Sequence, residues 1–87
     1  MFKITFSRVS RETETLHSVY VYVDGIMVAE MQKDPTAEMP TWYTHESDVA
    51  INDTHRVHIP DCDWDSRLAD AKRWIAADIR GYLQGQA

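Results

Sequence analysis

Hydrophobic and polar residues alternate from the first positions of the chain. Phe2, Ile4 and Phe6 are interleaved with Lys3, Thr5 and Ser7, the period of a strand with one buried face. The polar run SRETET, residues 10–15, reads as a loop. LHSVYVYVDGIMVAEMQK follows, two β-branched and aromatic runs on either side of Asp24-Gly25. Asp-Gly suits a two-residue type I′ turn, whose central residues both need positive φ. This turn sets Val23 opposite Ile26, Val21 opposite Val28 and Val19 opposite Glu30. One face then carries Val19, Val21, Val23, Ile26 and Val28, and the other Tyr20, Tyr22, Met27, Ala29 and Met31. A slip of one residue would exchange the two faces.

KDPTAEMP, residues 33–40, is a loop punctuated by Pro35 and Pro40. TWYTHE is read as a short strand or an ordered loop anchored by Trp42. Val49 to Ile59 is β-rich, with Asn52-Asp53 as the candidate turn of a second hairpin and Pro60 as the stop. Near the C-terminus the period changes. Trp64, Leu68, Ala71, Ile75, Ile79 and Tyr82 step by threes and fours, one apolar stripe of a helix over about 62–84. Trp74 falls at the flank of that stripe. The order of elements predicts an α+β domain over residues 1–87. Three to five antiparallel strands lie within 1–60, and one C-terminal helix packs on one sheet face. If the helix covers the valine face, Tyr20, Tyr22, Met27 and Met31 remain on the open one.

Composition adds little to this outline, whereas the placement of charge adds more. The chain has 87 residues, an ordinary apolar fraction of 44% and a net charge of −5. An acidic chain is repelled by phosphate backbones and anionic membranes, so direct nucleic-acid binding is not expected. Glu46, Asp48, Asp53, Asp61, Asp63 and Asp65 face only Arg56 between His45 and Asp65, a local excess equal to the whole net charge. Cys62 is the one cysteine, so no internal disulfide forms. This fits a reducing, cytoplasmic setting. The alternating N-terminus is not expected to act as a signal peptide, and no stretch of the sequence is apolar enough to span a bilayer as a helix.

The stretch DCDWD, residues 61–65, concentrates the candidate chemistry. His55, His58, Cys62, Asp61 and Asp63, with His45, are ligand types suited to zinc. In a strand, however, His55 and His58 point to opposite faces. The expectation is therefore no metal and no cofactor. Cys62 near a helix start would favour thiolate, yet Asp61 and Asp63 beside it oppose the charge. No glycine-rich loop offers an oxyanion or phosphate site, and no catalytic activity is expected. Asp61 or Asp63 is read as the helix cap, with the carboxylates meeting the positive end of the helix dipole. The remaining reading is an acidic and aromatic partner surface. It comprises Glu46, Asp48, Asp53, Asp61, Asp63 and Asp65 for steering, with Trp42, Tyr43 and Trp74 as anchors.

LADAKRWIAADIRGYL, preceded by hairpin strands, resembles the C-terminal half of the double-stranded-RNA-binding-like fold. There, a helix with an alanine-lysine and then an alanine-alanine pattern follows three antiparallel strands. Ala71-Lys72 and Ala76-Ala77 are the matching positions, and the match covers about half the chain. That family sets lysines at the helix start to grip phosphates. This chain sets Asp61, Asp63 and Asp65 there, so RNA binding does not carry over. In size, acidity and lack of motifs the chain also resembles small phage-encoded host-interaction proteins, including the anti-CRISPR proteins. That resemblance transfers no site residue. It implies an inhibitor, acting as a nucleic-acid mimic, that binds a basic surface on a host nucleic-acid-handling complex. The alternative is a homo-oligomeric module, a homodimer pairing through its Tyr/Met sheet face.

Overall fold

The computed structural model describes residues 1–86. The expected α+β architecture is present: antiparallel strands with a single C-terminal helix against them. The strands are β1 (Ile4–Phe6), β2 (Ser10–Thr13), β3 (Leu16–Val23), β4 (Ile26–Lys33), β5 (Trp42–Thr44), β6 (Ser47–Ala50), β7 (Arg56–Ile59) and β8 (Cys62–Asp65), followed by α1 (Leu68–Gln84). The main sheet runs β1-β3-β4-β5-β8, with β2 also paired to β3, and β6-β7 forms a separate hairpin. Strands thus exceed the three to five expected, and β8 lies beyond residue 60. Two of the additions, β2 and β8, come from polar segments that lie at sheet edges. There a strand needs ladder hydrogen bonds but no apolar face.

The central hairpin turns at Asp24-Gly25, with φ of 49° and 80°, as a type I′ turn requires. Val23 pairs with Ile26 and Tyr22 with Met27, but Val21 pairs with Ala29 and Val19 with Met31. Val28 is the extra residue of a β-bulge. The expected pairs Val21–Val28 and Val19–Glu30 do not form. The physical reason is Glu30. An unbulged ladder would carry its carboxylate onto the valine face, where a charge loses its water. The bulge sends Glu30 to the opposite face, where it accepts a hydrogen bond from the Ser18 hydroxyl at 2.6 Å. Met31 and Ala29 take the core positions instead. Ile26, expected inside, is 38% exposed. The bulged Val28 carbonyl is satisfied by the Ser47 hydroxyl at 2.8 Å.

The core consists of Val19, Val21, Val23, Val28, Ala29, Met31 and Trp42 from the main sheet, Ile51 from the β6–β7 turn, Val57 and Ile59 from β7, and Ala71, Ile75, Ile79 and Leu83 from α1. Leu68, Ala71, Ile75 and Ile79 keep the helical stripe foreseen for them. The stripe then passes to Leu83, while Tyr82 is 39% exposed. The helix starts at Leu68 and not near 62, because Cys62–Asp65 pairs with β5. Trp64 is accordingly a strand residue. The cap position is Arg67, with no side-chain capping bond. Neither Asp61 nor Asp63 caps the helix. Asp65 accepts the Arg67 backbone N–H at 3.1 Å and closes the turn between strand and helix.

Candidate functional site

β8 is an end strand of the main sheet, joined to β5 on one side only. The chain reverses directly from it into α1, and the helix packs against β7 and β8. This brings the second half of the acidic region beside the helix. Asp63 is exposed on β8, and its carboxylate accepts the Thr41 hydroxyl at 3.2 Å. The Asp65 carboxyl is held below the usual carboxylate range, first by the Arg67 backbone N–H, with the Trp74 side chain acting in the same direction. Trp74 is 54% exposed, an unusual position for so large an apolar ring.

The other acids lie elsewhere. Asp61 accepts the Glu46 backbone N–H at 3.0 Å and stands 3.6 Å from His45 Nδ1. Glu46 stands 3.6 Å from His58 Nε2. Asp48 pairs with Arg56 at 2.9 Å. Asp53 is exposed in the β6–β7 turn, which Asn52 organises by accepting the Thr54 and His55 backbone N–H groups. The six carboxylates therefore do not form one field. Asp63 and Asp65 sit at β8, Asp61 stands by His45 and Glu46 by His58, and Asp48 has its own guanidinium.

The anchors separate in the same way. Trp42 is only 4% exposed and belongs to the core, with the Lys33 ammonium 5.7 Å from its ring. It cannot serve as a free anchor for a partner. Tyr43 is half-buried, pairs with Asp63 across the ladder and meets His45 edge-on at 5.5 Å. Trp74 alone of the three is an exposed residue.

The structure sets Trp74, already expected as an anchor, beside Asp78, Ala77 and Gly81, which sequence reasoning missed. Trp74, Asp78 and Tyr82 succeed one another at four-residue intervals on α1 and form one row. Beside the row run Ala77 and Gly81. Two open depressions share Ala77 and Asp78, so together they make one trough. Its far wall is formed by Cys62 and Trp64 at one end and by His58 and Pro60 at the other. His58 stacks on Tyr82 at 6.2 Å. The signal was present as the spacing 74, 78, 82. Tyr82 also fits the end of the neighbouring apolar stripe, which masks the row.

The Cys62 thiol is pushed up, mainly by burial and further by Asp63 and Asp78. Near neutral pH it is a thiol and not a thiolate. Among the described residues, no three His, Cys, Asp or Glu side chains converge as a metal cage. No helix among them is long and apolar enough to cross a membrane. Comparison with protein-family models, curated proteins and solved structures returned no match.

Proposed function

We propose that this chain is a protein-binding module without catalytic activity, and that it recognises a basic protein surface through the side formed by β8 and α1. One observation carries the reading: the exposed Trp74 ring stands among the carboxylates of Asp63, Asp65 and Asp78. An aromatic residue that can be desolvated at the centre of a contact, ringed by charge that steers approach, is how small interfaces concentrate their affinity. Asp63, Asp65 and Trp74 remain from the surface expected from sequence. Glu46, Asp48, Asp53 and Asp61 contribute only long-range field, and Trp42 serves the core.

The resemblance to phage-encoded host-interaction proteins makes a host nucleic-acid-handling complex the proposed partner class, bound in the cytoplasm at a surface that otherwise meets phosphate. The homodimer reading has less support, because Met31 leaves the Tyr/Met face for the core. The test is capture from host extract with the wild type and with the Asp63→Asn/Trp74→Ala variant. Association rates with the captured partner are then measured across salt. A partner lost by the variant, with a rate that falls steeply as salt rises, supports the reading. Equal capture by both forms, or a rate indifferent to salt, overturns it.

A further inference from the structure

The trough along α1 is specific enough to name its occupant. We infer that it is a docking site for an arginine side chain carried by an extended segment of the partner, an inference that rests on the binding-module reading above. Two exposed aromatic rings, Trp74 and Tyr82, stand at its ends with Asp78 between them on the same helical row. Eight residues of helix rise about 12 Å, which three to four residues of extended chain span at roughly 3.3 Å each. Ala77 and Gly81, both exposed on α1, line the trough from the helix side. A Cβ built on Gly81 meets nothing within 4 Å, so backbone can approach the helix closely there.

The formal charges lining the trough are carboxylates, with His58 the one ionisable base beside them. Asp63 and Asp78 line it, and no lysine or arginine does. Arg73, on the same helix, is paired with Asp70. A planar guanidinium can stack on Trp74 while donating to the Asp78 carboxylate, a combination that the compact lysine ammonium matches less well. A second copy of this chain docked symmetrically would bring this acidic patch against the same patch of its partner, which like-charge repulsion disfavours.

The experiment is a heteronuclear NMR titration of the full chain with acetyl-Gly-Gly-Arg-Gly-Gly-amide. The same peptide with citrulline serves as the uncharged isostere, and an octa-arginine peptide forms the third arm. The inference expects saturable shifts at the Trp74 indole, Ala77, Asp78 and Gly81, with the citrulline peptide about tenfold weaker. Gly81→Leu, which adds a bulky side chain to the lining without removing any contact, and Asp78→Asn should each abolish the response while the rest of the spectrum stays folded. Equal response to citrulline, unchanged binding by Gly81→Leu, or concentration-dependent self-association through the trough overturns the inference. Octa-arginine shifting the Asp63–Asp65 strand but not Ala77, Asp78 or Gly81 would sink the trough and leave the binding-module reading standing. Absence of any response to octa-arginine would sink both.

Discussion

The Trp64 indole donates its N–H to the Thr44 hydroxyl at 2.9 Å, and that hydroxyl donates in turn to the Pro60 carbonyl at 2.8 Å. Thr44 is buried, so this relay is what permits a polar side chain there. It also ties β5 to β8 and to the bend before β8. Thr44→Val keeps the shape and leaves both the indole and the carbonyl without their partner. A loss of about 1–3 kcal/mol is expected in urea unfolding. Thr44→Ser should retain most of the stability. Trp64→Phe, judged by the same measurement, removes the donor as well as part of the ring.

The bulge at Val28 makes a second prediction that opposes the simple pairing. Met31 is fully buried, whereas Met27 is 52% exposed. Met31→Ala should cost about 2–5 kcal/mol, and Met27→Ala should stay within about 0.5 kcal/mol. An unbulged hairpin would place both on one face and make them alike. Similar losses at the two positions, by chemical denaturation, would contradict the register.

Where sequence reasoning succeeded, the signal was local. The turn at Asp24-Gly25 and the first two pairs next to it follow from the need for two positive φ values. The helical stripe from Leu68 to Ile79 follows from period alone. The failures were decided by tertiary pairing. The polar residues of β2 carry no period, since an edge strand can be held by the backbone of β3 alone. Trp64 fits the helical step count as well as it fits a strand, and only β5, twenty or more residues away, selects the strand. DCDWD therefore divides differently from its reading as a helix start. Asp61 and Asp63 brace neighbouring segments, Trp64 turns inward, and Asp65 closes the turn to the helix.

Gly81 lies on an exposed part of α1, without positive φ and without a neighbour that a methyl group would strike. A glycine inside a helix costs about 0.5–1 kcal/mol relative to alanine through the freedom it has when unfolded. Gly81→Ala should recover that amount and raise the melting temperature by a few degrees. No gain in a calorimetric scan would mean that the segment after Asp78 is not a settled helix in solution.

The acid limb of stability should carry the signature of Asp65. Its carboxyl titrates below the ordinary carboxylate value, chiefly because the charged form accepts the Arg67 backbone N–H. Between the two values the unfolded chain binds more protons than the folded one, so stability rises with pH in that window. The contribution is therefore fully present above the usual carboxylate pKa of about 3.9. It is lost as pH falls through the lower folded value. Asp65→Ala should be less stable than wild type at neutral pH, with the gap closing under acid. Asp65→Asn, which keeps an acceptor but no charge, should lie between them. Urea unfolding across acid and neutral pH checks this. A gap that persists unchanged into strong acid would show that the effect of Asp65 does not come from its charge.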